Sequence, residues 1–128
     1  MPETRRISKV FEAREQLEGA GVTVRRAIGT AAFRNFTPFL MLDHAIVPPD
    51  SPGFPDHPHR GQETISYVLK GKIDHEDFVG NSGTLYAGDL QFMTAGKGIV
   101  TTSIPIAVHF QSIARRSLIH QDFHTHFF

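Results

Sequence analysis

Residues 63–79, with the sequence ETISYVLKGKIDHEDFV, carry the pattern that decides the fold class. In the first half of this stretch, the larger apolar residues Ile65, Tyr67 and Leu69 occupy every second position. This two-residue period is typical of a β-strand that buries one face. Gly71 then separates this half from the second half. The stretch therefore predicts two neighbouring antiparallel strands, which is the start of a β-meander.

The flanking sequence extends the same β pattern in both directions. We predict further strands over residues 22–28, 36–42, 84–87 and 90–94, with glycine-containing turns between several of them. Turn signals at intervals of about 8 to 12 residues are typical of an antiparallel sandwich or barrel. Helix content should be small, since residues 11–16 are the only charged stretch of good helix formers and Gly19 and Gly21 follow it.

Prolines set one segment apart from the predicted strands. Residues 47–59, with the sequence VPPDSPGFPDHPH, contain five of the eight prolines in the chain. Proline lacks a backbone N–H group, which disfavours both a helix and a central strand. The composition therefore predicts a rigid loop that ends at the sequence His57-Pro58-His59.

The composition excludes several classes of protein. The chain has 128 residues, with 13 Lys and Arg against 13 Asp and Glu, so electrostatics do not favour direct nucleic-acid binding. There is no cysteine, which excludes a disulfide scaffold, a thiolate metal site and a catalytic thiol. No stretch reaches the roughly 18 apolar residues of a membrane span. We expect a soluble, intracellular protein with one domain and no membrane partner.

The two histidines at the end of the proline-rich segment are candidate metal ligands. Residues i and i+2 of an extended segment point to the same side, so His57 and His59 could bind one metal ion. Glu63 has the same parity, and a bend at residues 60–62 could return its carboxylate to that centre. Two histidines and one carboxylate form a set that suits non-haem Fe(II). The alternative is that these histidines are simply exposed polar residues of a loop.

Several longer motifs go beyond this spacing. They are FLMLDH at residues 39–44, FPDHPHRGQETISY at 54–67, HEDF at 75–78 and GDLQFMTAGKGI at 88–99. In this order they resemble the pirin family of the cupin superfamily. The resemblance implies an all-β cupin, an antiparallel β-barrel or jelly roll, incomplete at its C-terminal end. It divides the chain into a pirin-like N-terminal cupin over residues 1–100 and a divergent tail over 101–128 that we expect to be poorly ordered.

The resemblance also implies an iron site that this chain does not complete. Pirins bind iron through two histidines of a His-Pro-His motif, which match His57 and His59, and through a His-x-Glu pair after the TAGxGI motif. That second pair falls at residues 101 and 103, where this chain has Thr101 and Ser103. Neutral hydroxyls are poor ligands compared with imidazole and carboxylate. We therefore expect an impaired site with weak or absent Fe2+, with Glu63 as a possible substitute ligand.

Other parts of the chain leave alternatives open. His124 and His126 repeat the i, i+2 spacing and could replace the missing ligands, although histidines near a chain end are more often solvated. The abrupt loss of likeness after residue 100 is compatible with a truncated relative, a frameshift or a different exon junction.

Two activities follow from the resemblance. One is an iron-dependent quercetin 2,3-dioxygenase that acts on a flavonol-type small molecule. The other is a transcription cofactor that binds transcription regulators and is found in the nucleus and cytoplasm. A third reading is a truncated fragment with no function of its own.

Overall fold

Nine strands account for the regular structure in the computed structural model, which describes residues 4–19, 21–34 and 36–116 and the backbone of 124–127. Their bounds are β1 (Glu15–Leu17), β2 (Thr23–Ile28), β3 (Phe39–Val47), β4 (Phe54–His59), β5 (Gln62–Asp77), β6 (Ser82–Tyr86), β7 (Leu90–Thr94), β8 (Ile99–Arg116) and β9 (His124–Phe127). Within the described residues there is no helix, and so none long and apolar enough to cross a membrane.

The strands form one antiparallel sheet that curls into an open barrel. The strand order is β1-β2-β3-β8-β5-β7-β9, with β4 paired to β8 and β6 paired to β5. The predicted all-β antiparallel fold is therefore confirmed, and the small helix content with it.

Strand β8 is the centre of this sheet. It pairs with β5 from Gln62↔Arg116 to Asp77↔Thr101. It also pairs with β3 through its second half and with β4 through its first half. The predicted domain boundary at residue 100 falls inside this strand, and residues 101–116 take part in the ladder.

The core lies on the inner face of the curled sheet. Its larger cluster combines residues from β2, β3, β5, β6 and β8, among which Val68 and Val108 are fully buried. A smaller cluster consists of Met93, Ala95 and Ile99. Alternation along β3 explains which residues are inside, because Asp43, Ala45 and Val47 are buried and the residues between them are only half-buried.

The turn predicted at Gly71 is absent, because Gln62–Asp77 form the single strand β5 and not two antiparallel strands. Tyr67 and Leu69 are also 41% and 42% exposed, whereas Val68 between them is fully buried.

Two further predicted elements are wrong. The stretch expected to be helical at residues 11–16 contains no helix, and its last two residues begin β1, which pairs with β2. Glycines that end a helix also permit a tight turn, and the Glu18 N–H donates to the Val22 carbonyl at 3.0 Å across the β1–β2 connection. Here, strand pairing overrides the intrinsic helix propensity.

The second wrong element is the loop predicted over residues 47–59, since its last six residues form β4. Within the described part of the chain, β4 pairs only with β8, so the prolines sit on an edge strand. The register shifts between Phe54 and His57, which is where Pro55 interrupts the ladder. Edge strands and irregularities are the positions at which a sheet tolerates proline.

A candidate ligand cavity with two histidines

The open barrel encloses a cavity of about 530 Å³. Six strands contribute to its wall, and the apolar side chains include Val24, Met41, Phe54, Met93, Phe110 and Ala114. Polar side chains are grouped at two places in this wall, one around the end of β4 and one where β2 faces β3. Concave, mostly apolar spaces of this size with a few placed polar groups are typical of small-molecule sites.

His57 and His59 lie together in the cavity wall. Both side chains come from β4, and their ring centroids are 4.7 Å apart. The His57 Nδ1 atom lies 2.8 Å from the Pro55 carbonyl oxygen. The His59 Nδ1 atom lies 2.7 Å from the Gln62 side-chain nitrogen. The predicted common orientation of the two imidazoles is therefore present.

The hydrogen bonds give the two rings different tautomers. A carbonyl oxygen only accepts, so His57 Nδ1 carries a proton and its Nε2 has a free lone pair. An amide nitrogen only donates, so His59 Nδ1 accepts from Gln62 and the proton of the neutral ring is on Nε2. Burial, together with the neighbouring His57, lowers the pKa of His59 to about 4. His57 thus has its Nε2 lone pair available to a metal ion, whereas His59 would do so through Nε2 only after a change of tautomer, with the Gln62 amide turned so that its oxygen accepts from Nδ1.

The neighbouring strand β8 decides which further donors lie near the two histidines. Thr101 pairs with His57 in the register between β4 and β8, and Thr101 and Ser103 both line the cavity. They therefore lie in the same part of the wall, at the positions where the resemblance implies His and Glu. In the described part of the chain, no group of three or more His, Asp or Glu residues could hold a metal ion. Among the described residues, the donors at this place are two imidazoles and two neutral hydroxyls, and hydroxyls are poor ligands for iron.

Glu63 is not brought to the two imidazoles. Its carboxylate forms an ion pair with the Arg115 guanidinium across the β5–β8 ladder. The cavity-lining residues of this part of β5 are Gln62, Thr64 and Ser66. The turn at residues 60–61, where Gly61 has a φ of 61°, shifts the parity, so that Gln62 rather than Glu63 lies beside His59.

Sequence reasoning missed the charged group at the other end of the cavity. Arg26 of β2 donates from Nε and Nη2 to the two carboxylate oxygens of Asp43 of β3, at 2.9 and 2.8 Å. Arg26 also donates to Glu18 at 2.8 Å. Asp43 is buried, at 6% exposure. The sequence signal that could have identified Asp43 is a carboxylate at an inward position of a mostly apolar strand.

His75 of β5, in the HEDF motif, is a further cavity residue. It is 7% exposed, and burial lowers its pKa despite the nearby Asp77 and Asp74. For the histidine pair His124 and His126, only the backbone is described, as part of β9 paired to β7. The positions of their side chains lie outside the described residues.

Comparisons with known proteins agree with the resemblance seen in the sequence. The family model described as Pirin matches residues 21–125. Pirin-like protein 2 from Arabidopsis thaliana is 56% identical over 99 residues, covering 77% of this chain and 30% of that protein. Human pirin is 46% identical over 106 residues, covering 82% of this chain and 36% of that protein. The chain thus spans about a third of the length of these relatives.

Solved structures show the same fold. Quercetin 2,3-dioxygenase from Acinetobacter baumannii superposes with a TM-score of 0.82 at 23% identity, covering 92% of this chain and 43% of that one. The bacterial pirin YhhW from Escherichia coli, solved in complex with nickel(II), superposes with a TM-score of 0.81 at 22% identity, covering 91% of this chain and 54% of that one. A relative from Pseudomonas aeruginosa, 48% identical over 91 residues (69% of this chain, 32% of that protein), is provisionally named a quercetin 2,3-dioxygenase.

Proposed function

The chain belongs to the pirin family, and we propose that its cavity binds a flavonol-type small molecule while its impaired metal site does not support iron-dependent oxygenation. One observation carries the proposal. Thr101 and Ser103 of β8 line the cavity on the strand that pairs with the one carrying His57 and His59, so the site has two strong donors where the family pattern has four. Losing ligands costs metal affinity directly, because even a group that only supports a ligand contributes about 10- to 100-fold.

The cavity itself supports small-molecule binding. Its volume of about 530 Å³ lies within the range of roughly 300–1,000 Å³ that is usual for ligand pockets. Phe54 and Phe110 pack edge to face with ring centroids 6.1 Å apart and provide an aromatic surface inside it. The relatives named as quercetin 2,3-dioxygenases make a flavonol the first ligand to test.

Residual metal binding is assigned to His57 and His59. Glu63 can serve as the third donor only if its ion pair with Arg115 opens and the turn before β5 rearranges. Binding of Fe2+ by this chain should therefore be weak, and Glu63→Ala should change it little.

Anaerobic calorimetric titration with Fe2+ tests the metal part of the proposal. We expect weak binding by the native chain and by Glu63→Ala. We expect at least ~100-fold tighter binding by the double variant Thr101→His/Ser103→Glu, which restores four donors. The matched control is Thr102→His/Ile104→Glu, which adds the same groups to the next residues, whose side chains do not line the cavity.

The result that would contradict the proposal is about one equivalent of tightly bound iron in the native chain, together with oxygen consumption in the presence of quercetin. A lower affinity of Glu63→Ala would instead show that Glu63 is a ligand. The ligand part is tested separately, by fluorescence titration of the native chain with quercetin in the absence of metal.

A second candidate function is binding of a partner protein such as a transcription regulator, in the nucleus or cytoplasm. The observation that favours it is a set of exposed apolar residues on β6, β8 and the turn after β5, namely Tyr86 at 59%, Ile104 at 53% and Phe78 at 61% exposure. A chain that binds no quercetin but binds a purified regulator would support this function. A circular dichroism melt without a cooperative transition would favour the non-functional fragment over both.

A further inference from the structure

We propose that the cavity selects the uncharged form of its ligand and rejects anionic forms, because the guanidinium that lines it is already neutralised by two carboxylates. The inference rests on the proposed binding of a flavonol-type molecule and adds the charge state of that molecule. It assigns the discrimination to Arg26, Asp43 and Glu18, which lie at the β2–β3 side of the cavity.

Arg26 already directs three of its five N–H donors at carboxylates. Asp43 accepts from Nε and Nη2 of the guanidinium, the bidentate geometry in which an arginine–carboxylate pair is strongest. The contact with Asp43 is also the main cause that raises the Arg26 pKa. An anionic ligand would have to displace a carboxylate that is itself 6% exposed, which would leave a buried charge without a partner.

Glu18 leaves an excess of negative charge at the same place. Its carboxylate lies 2.8 Å from Arg26 Nη2 and its side chain is 38% exposed. Arg26 can balance only one of the two carboxylates, so this cluster has a formal charge of −1. Among the described residues, the cavity wall includes no lysine and no other arginine. A ligand anion would therefore meet repulsion in addition to the cost of entering a mostly apolar cavity.

Two of the remaining polar atoms of the wall can accept hydrogen bonds from a ligand. Thr64 Oγ1 is buried and has no hydrogen-bond partner among the described residues, and Thr64 lines the cavity. His57 Nε2 has a free lone pair because its Nδ1 proton is directed at Pro55. A neutral phenol hydroxyl can donate to both atoms, whereas a phenolate, carboxylate or sulfate cannot donate to His57 Nε2 and can only accept from the Thr64 hydroxyl.

A matched ligand pair tests this inference on the native chain without metal. The probes are 3-hydroxyflavone-4′-carboxamide and 3-hydroxyflavone-4′-carboxylate, which have nearly the same shape and differ by one charge. Titrations followed by fluorescence at pH 8.0 keep ordinary imidazoles, with a pKa of about 6.5, uncharged. We expect the carboxamide to bind about tenfold more tightly than the carboxylate.

Two variants locate the source of the discrimination. Glu18→Gln removes the excess charge from the cavity and should reduce the difference in affinity between the carboxamide and the carboxylate to about threefold or less. Glu15→Gln makes the same change three residues earlier in the chain, but Glu15 pairs with the exposed Arg25 at 3.4 Å and is not a cavity residue, so it should leave the difference in affinity between the two probes unchanged.

The outcomes separate the two claims. Equal or tighter binding of the carboxylate overturns the charge selection and leaves flavonol binding in place. If the affinity difference between the two probes is unchanged in Glu18→Gln, the role of Arg26, Asp43 and Glu18 is overturned. Failure of both probes and of quercetin to bind overturns the proposed function itself, and the selection with it.

Discussion

Gly71 is the single residue whose replacement should damage the fold most directly. Its φ is 80°, and a Cβ atom built on it would lie 2.3 Å from the Ala107 carbonyl oxygen and 2.8 Å from the Ile106 carbonyl oxygen. Both contacts are with backbone of β8, which cannot move without disturbing its ladder with β5. We expect Gly71→Ala to lower the free energy of unfolding by about 3 kcal/mol or more, measured by urea denaturation.

Gly80→Ala is the matched control for this prediction. Gly80 has a similar φ of 90°, but a Cβ atom there would meet nothing within 4 Å. It should therefore cost only the strain of the left-handed conformation, roughly 1 kcal/mol. Equal losses for the two variants would show that the approach of β8 to Gly71 is not what requires glycine.

Only some of the residues that line the cavity could be predicted from the sequence. The alternation rule placed His57 and His59 on one side, and both line the cavity. The same rule failed for Glu63, because a tight turn at Gly61 changes which side of the strand faces inward. Gln62 and Arg26 could not be predicted, since their roles depend on contacts made only when distant strands meet.

At the scale of elements, the Arg26–Asp43 pair joins β2 to β3. We expect Arg26→Gln to destabilise the protein by about 2–4 kcal/mol, because it leaves the buried Asp43 carboxylate without its partner. Arg25→Gln is the control, since Arg25 and Glu15 are both more than half exposed, and such pairs contribute about 0–1 kcal/mol. Thermal and urea unfolding of both variants measure the difference.

The double variant Arg26→Gln/Asp43→Asn checks the cause. If the loss of stability comes from the unpaired Asp43 carboxylate, the additional Asp43→Asn change should recover a substantial part of the free energy of unfolding. No recovery would mean that packing of the arginine side chain, rather than its charge, stabilises the β2–β3 pair.

Element prediction succeeded where the pattern was local. Strands β6 and β7 follow from the glycine turns around them, although in the described part of the chain both pair with β5 and not with each other. The meander predicted around a turn at Gly71 was wrong, because β5 runs through that residue. Strand β4 was missed because its prolines mark it as a loop unless its edge position is known. Nothing in the local sequence of β8 indicates that it will be the strand shared by β3, β4 and β5.

At the scale of the whole molecule, buried histidines should make stability depend on pH. Burial lowers the pKa of His75 and takes that of His59 to about 4, below the ordinary value of 6.5. Between the folded and unfolded values, the unfolded chain binds more protons, so the free energy of unfolding should fall as the pH drops below about 6.5. Urea denaturation at intervals from pH 7.5 to 5.0 measures this slope.

The variant His75→Gln tests the source of that slope. It removes one of the two imidazoles with a lowered pKa. The free energy of unfolding should then depend less on pH below 6.5 and change little in shape above pH 7. A slope identical to that of the native chain would contradict the assignment to His75.

The central position of β8 also has a kinetic consequence. Strand β3 pairs with β8 from Val47↔Val108 to Phe39↔Arg115, so these partners are synthesised far apart in time. A chain dominated by such distant pairings should fold in milliseconds to seconds rather than microseconds. Until β8 has left the ribosome, the apolar inner face of the β2–β3 hairpin is exposed. We therefore expect the nascent chain to depend on chaperones during that interval.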